Sequence, residues 1–172
     1  MIAAIFPALL ALFLLAAPAF AQHYDQSFEG WAVYTVRQAD EGGRPRTVCY
    51  AAILPNSAQP GASQASPGGE KPFLLLALRG GKDEVNTASG IPYKPGSDAT
   101  LEVDTTSYKL FTDGARAWAY TSGQDAAIAA ALKKGSLATV RAFGPDGKEI
   151  SHSYPLKGLS VAYQRMKQLC AK

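Results

Sequence analysis

The stretch GWAVYTVRQADEGGRPRTVCYAAIL, residues 30–54, decides the fold. Residues 30–38 are rich in the aromatic and β-branched side chains that suit a pleated, half-buried strand, and residues 46–54 resume that pattern. Asp40, Glu41, Gly42 and Gly43 supply turn chemistry between them, so the two segments predict a hairpin. Alternation places Val48 and Tyr50 on the face opposite Cys49, whose one potential partner is the distant Cys170.

Working toward the C-terminus, residues 55–71, PNSAQPGASQASPGGEK, lack hydrophobic periodicity and predict a mobile loop. PFLLLALR, residues 72–79, is a continuous apolar run of strand length, suited to a strand covered on both sides. Residues 85–89, 99–103, 108–112 and 115–120 read as further short strands, and Pro92 and Pro95 mark a turn that cannot lie in a central ladder. Residues 124–134, QDAAIAAALKK, change to a helical composition, with Asp125 in the first turn and Gly135 as a stop. Residues 136–143 and 148–156 then form a hairpin around Gly144, Pro145, Asp146 and Gly147.

The tail, residues 160–170, predicts a second helix, with Ser160 as its N-cap and Val161, Tyr163, Met166 and Leu169 on roughly one face. Eight or nine short strands with two short helices argue for a mainly β fold, a sandwich or barrel, over a parallel α/β sheet.

Working toward the N-terminus, the chain opens MIAAIFPALLALFLLAAPAFAQ, an apolar stretch that ends in the small-x-small run Ala19, Phe20, Ala21. Residues 1–21 therefore read as a signal peptide, with residues 22–172 as one exported domain. An uncleaved anchor is the rival reading, although Pro18 and the small residues before Gln22 fit a cleavage region better. No later stretch approaches spanning length, so no transmembrane segment is expected in the mature chain, which should reside in the periplasm or outer envelope. About 150 residues suffice to bury a core without several disulfides. In an oxidising compartment Cys49 and Cys170 are expected to pair, stabilising the fold by up to about 5 kcal/mol.

The 17 basic and 14 acidic residues leave a net charge of +3, scattered without a stripe, which excludes a nucleic-acid footprint. Lys133 and Lys134 instead close the first helix, where cations suit the dipole.

Catalytic residues are not assigned. His152 lies between Ser151 and Ser153, but strand neighbours point to opposite faces, and there is no Gly-x-Ser-x-Gly elbow. No metal ligands are assigned either, since His23 and His152 are the only histidines, and Glu102 and Asp104 read with Asp98 as a solvent-facing polar patch. The paired glycines lack the context of a phosphate loop, so no cofactor is expected. Trp31, Trp118 and Tyr93 remain as a candidate ligand or interaction surface, with core packing as the competing role.

Several short patterns now stand in order along the chain. They run from GWAVYTV and VCYAA through an apolar strand ending in Arg79, then Asp83-Glu84-Val85-Asn86, Gly90-Ile91-Pro92-Tyr93 and Ala117-Trp118-Ala119. A helix ending Lys133-Lys134-Gly135 follows, and SYPLKGL, residues 153–159, precedes the terminal Cys170. Together they resemble the invasion-associated locus B family of α-proteobacterial exported proteins. The resemblance implies an immunoglobulin-like β-sandwich in the periplasm or outer envelope, one branch of the family being linked to entry into host cells, and it brings no catalytic residues. This chain differs where relatives often carry Asp-Thr-Tyr-Ser-Leu followed by Gly-Phe; here the run is His152-Ser153-Tyr154-Pro155-Leu156, then Gly158-Leu159.

The expectation is a non-enzymatic envelope protein that presents loops and strand edges to an envelope or host macromolecule. Its alternative is a periplasmic small-molecule binder with an apolar pocket lined by Trp31, Trp118 or tyrosines. A hydrolase using His152 stands behind both.

Overall fold

The computed structural model describes residues 22–40, 42–58 and 71–171. The expected signal peptide, residues 1–21, and most of the expected loop lie outside them. In chain order the elements are β1 (His23–Phe28), β2 (Trp31–Ala39), β3 (Pro45–Ile53), β4 (Ser57–Ala58), β5 (Phe73–Arg79), β6 (Lys82–Ala88), β7 (Ala99–Val103), β8 (Thr106–Asp113) and β9 (Arg116–Ala119). They continue with α1 (Ser122–Leu132), β10 (Leu137–Phe143), β11 (Glu149–Pro155) and α2 (Leu159–Cys170). The strands form one continuous sheet, ordered β1-β2-β3-β5-β6-β9-β8-β7-β10-β11-β4, and neighbouring strands are antiparallel.

A sheet with one apolar face must cover that face, and this sheet does so by folding over on itself as a β-sandwich. The indole of Trp31, fully buried, donates to the Pro155 carbonyl at 3.0 Å and so joins β2 to β11, strands near opposite ends of the sheet order. Val33, Cys49, Ala51, Leu74 and Leu76 enter the shared core from the β2-β3-β5 side. Leu101, Leu110, Val140 and Ile150 enter it from β7, β8, β10 and β11.

The two helices complete the core. Thr121 caps α1 by accepting from the Gln124 amide, while Asp125 reaches back to the sheet and accepts from the Val85 amide at 2.8 Å. Ile128, Ala129 and Leu132 are thereby turned inward. At the C-terminal end of α1, Lys133 lies 3.2 Å from Asp83 and 3.9 Å above the Tyr163 ring of α2.

The N-terminus of α2 differs from the sequence expectation. Its cap is Gly158, at φ 93°, where a side chain would collide with the Phe28 carbonyl, so left-handed backbone and close approach both require glycine. Ser160 lies inside the helix and donates to the Lys133 carbonyl, which links the two helices. This start sets the phase of the helix: Leu159, Ala162 and Met166 are buried, and Val161 faces solvent. Arg165 holds Asp25 of β1 through two contacts, at 2.8 and 2.7 Å, and its guanidinium lowers the Asp25 pKa below the usual carboxylate range.

The mainly β architecture with two short helices agrees with the sequence. So do the two hairpins, in which β2 pairs with β3 and β10 with β11. β1 and β4 are additional to the expected strands. Both lie at the ends of the sheet order, where a strand pairs on one side and the six residues of β1 include none fully buried. β5 is also a correction: Leu74 and Leu76 enter the core, whereas Phe73 and Leu75 on its other face stay partly exposed. No helix among the described residues is long and apolar enough to cross a membrane.

Cys49 and Cys170 are joined by a disulfide, with Cα atoms 6.1 Å apart, so the last turn of α2 is fastened to β3. Reducing the bridge, or the double substitution C49A/C170A, should lower the unfolding free energy by about 2–5 kcal/mol. Denaturant titration with and without reductant measures this; identical midpoints would show that the bridge adds no stability.

Candidate functional site

His152 is 1 % exposed on the core-facing side of β11, and its Nε2 lies 3.2 Å from the Ser89 carbonyl. Ser153 points to the other face and meets Thr139 at 3.2 Å between hydroxyl oxygens. The structure thus separates the histidine from its serine neighbours, as strand alternation requires. Burial pushes the His152 pKa down, so the ring is held neutral in a polar pocket of the core beside Tyr154.

The oxygen-rich patch is also dispersed. Asp98 accepts from the Tyr120 hydroxyl and lies 3.7 Å from Lys109, whereas Asp104 accepts from the Ser136 and Leu137 amides where the chain enters β10. Among the described residues no three His, Cys, Asp or Glu side chains come together as a metal-binding group.

The three aromatic candidates separate by burial. Trp31 is sealed in the core by its bond to Pro155, and Tyr93 is only 3 % exposed, with burial pushing its phenol up to about 12. Both are therefore packed inside the protein, in the core role that the sequence left open for them. Trp118 alone is partly exposed, on the outer face of β9.

That outer face carries a feature the single residues did not reveal. Register aligns Ala32, Ala52, Leu75, Asn86, Trp118 and Phe111 in one row across β2, β3, β5, β6, β9 and β8. An adjacent row runs Tyr24, Tyr34, Tyr50, Ala77 and Glu84. Two aromatic stacks result. Tyr34 and Tyr50 lie 5.1 Å apart, with Tyr24 edge-on to Tyr34, and Phe111 and Trp118 lie 5.4 Å apart, with Tyr120 edge-on to Phe111.

Beside the Tyr34–Tyr50 stack lies an open groove of about 470 Å³, floored by Ala52, Leu75 and Ala77, whereas Phe111 and Trp118 line a separate depression with Val85 and Asp125. Its polar groups are engaged with one another. Arg79 donates to Glu84 at 3.0 Å and to Gln38 at 2.5 Å, the Arg116 guanidinium sits 5.3 Å above the Phe73 ring, and Gln22 donates to the Tyr50 hydroxyl. Burial and the neighbouring Tyr34 push the Tyr50 phenol up to about 12, so it stays protonated at neutral pH. Asn86, 7 % exposed, is the exception: its side-chain oxygen has no hydrogen-bond partner.

The sequence signal for this face was the unbroken apolar run of β5, which holds apolar residues at both parities because one side lines the core and the other the groove. Tyr34 and Tyr50 meet as a cross-strand pair through the register of the first hairpin. Asn86, Trp118 and Phe111 come together only through strand order.

A family model described as "Invasion associated locus B (IalB) protein" matches residues 31–167, a span that includes both aromatic stacks except Tyr24. Among solved structures, the fold is similar to the crystal structure of invasion associated protein b from Bartonella henselae. The TM-score is 0.59 at 14 % sequence identity, over 87 % of this chain and 99 % of that one. A search of curated proteins returns no match.

The buried imidazole makes stability depend on pH. Its folded pKa lies below its unfolded value, so the unfolded chain binds the proton more readily, and stability present above about pH 6.5 is lost progressively as pH falls below it. Urea midpoints at pH 7.5 and pH 5 should differ in the native protein and differ less in His152→Gln. Equal pH slopes in the two proteins would remove His152 as the cause.

Proposed function

The chain belongs to the invasion associated locus B family, and from that premise we propose that it is an exported, non-enzymatic interaction module that holds an envelope or host macromolecule on the outer face of β2, β3, β5, β6 and β9. The observation that carries this reading is the groove beside the Tyr34–Tyr50 stack, whose apolar floor no described residue covers. Contiguous apolar surface costs free energy in water, and tyrosine and tryptophan offer large contact areas with few rotors to order on binding.

Export is supported by the apolar leader with its small-x-small run and by the disulfide, a bond typical of oxidising compartments. The non-enzymatic reading is supported by the placement of His152, which faces the core and is screened from both adjacent serines. A closed small-molecule pocket built on Trp31 fits less well, because that indole is packed into the core and bonded to backbone. The name of the Bartonella relative speaks of invasion, and a host-facing partner for this chain is part of the proposal.

The purified protein should bind isolated envelope fractions saturably, and Leu75→Lys or Tyr50→Ser should weaken that binding at least tenfold while Val161→Ser, on the exposed side of α2, leaves it unchanged. Sedimentation binding assays measure this. Binding retained in full by both face variants would refute the assignment of the surface.

A further inference from the structure

We propose that the depression in which Phe111 and Trp118 stack receives an arginine side chain of a partner protein, an inference that rests on the interaction reading above and names the chemistry that partner presents. The depression, of about 380 Å³, combines the two aromatic rings with the carboxylates of Glu84, Asp113 and Asp125, and no described cationic residue lines it. Phe111 and Trp118 lie opposite each other in register with ring centroids 5.4 Å apart, and Phe111 remains 38 % exposed. Glu84 also lines the neighbouring groove, so a polypeptide lying beside the Tyr34–Tyr50 stack can set a side chain into the depression.

The cations around the depression are committed elsewhere. Arg79 bonds Glu84 at 3.0 Å, Lys109 lies 3.7 Å from Asp98, and Lys133 lies 3.2 Å from Asp83. Arg116 is directly opposite Asp113 in register, yet its guanidinium turns the other way, past Ala88, to sit 5.3 Å above the Phe73 ring in the neighbouring groove. Asp113, exposed at the end of β8, and Asp125 therefore border the depression without an ion pair to a described residue. Asp125 gives one oxygen to the Val85 amide, and burial, with the nearby Glu84 and Asp83 charges, raises its pKa. A cation arriving there meets negative charge that this chain leaves uncompensated.

The occupant must bring positively charged N–H donors to the carboxylates and a flat face to the rings. A guanidinium does both: it is planar, stacks on aromatic rings and donates to carboxylates through a fork of N–H groups. The same sheet face already holds one guanidinium over a ring, in Arg116 and Phe73. A lysine ammonium brings donors without the flat face, and a quaternary ammonium brings no donor. The three carboxylates do not gather as a metal-holding group. An anion is repelled by them, and an alkyl chain would strip their water without pairing them.

The full purified protein is titrated with N-acetylarginine amide, N-acetyllysine amide, N-acetylcitrulline amide and tetramethylammonium chloride, and the Trp118 indole N–H and the β8 amides are followed by NMR. The arginine amide should shift these signals saturably with a dissociation constant of about 1–30 mM, about threefold or more tighter than the lysine amide. The uncharged citrulline amide should leave them unmoved. Asp113→Asn and Trp118→Leu should each weaken arginine binding about threefold or more, and Asp113→Asn should do so with the thermal midpoint unchanged. In sedimentation with envelope fractions, blocking the arginines of the envelope proteins with cyclohexanedione should lower affinity about tenfold, and acetylating their lysines should have a smaller effect.

The proposal falls if the arginine amide leaves Trp118 unmoved, if any of the other three probes binds as tightly, or if either variant keeps the native affinity. Envelope binding that depends on Leu75 and Tyr50 but withstands both arginine blocking and Asp113→Asn would overturn the arginine assignment and leave the interaction face standing. Envelope binding that ignores the face would overturn the broader reading.

Discussion

Alternation along β3 is the constraint on which the rest of the structure depends. Cys49 and Tyr50 are neighbours, so they cannot share a side of the sheet. Cys49 faces the core and meets Cys170 at the end of α2, and Tyr50 must then face outward, beside Tyr34 and next to Ala77. A slip of one residue would take the cysteine away from its partner and drive a tyrosine into the core. Anchoring of the second helix and construction of the aromatic face are two results of one register.

The same parity shows why some features were legible in the sequence and others were not. Nine strands showed themselves through apolar alternation or apolar runs, because each has a row of side chains to bury. β1, with Tyr24, Asp25 and Gln26, has no such row and is held instead by pairing with β2 and by the Asp25–Arg165 ion pair. Helix α2 was legible as an element, but its phase was not. That depends on Gly158, whose backbone passes against Phe28, a contact between segments far apart in the chain. The disulfide was legible because two cysteines leave one pairing.

The candidate face lies between these cases. Trp31 and Trp118 occur in similar β-type surroundings, and residue type cannot say which is core. Register does: Trp31 shares parity with Val33 and Thr35, and Thr35 pairs with the inward Cys49. Trp118 acquires its neighbours only when β9 comes to lie beside β6 and β8, a consequence of strand order that local sequence does not carry. The apolar run of β5 was a sound signal of two-sided apolar character, but its outer side faces a groove rather than a second layer.

The bridge also changes what the chain is as a covalent object. The polypeptide from Cys49 to Cys170 is a closed covalent ring. A protease that cuts the ring once opens it without releasing a fragment. The strands that bear Tyr34 and Tyr50 would remain tethered to those that bear Asn86 and Trp118 as one covalent molecule.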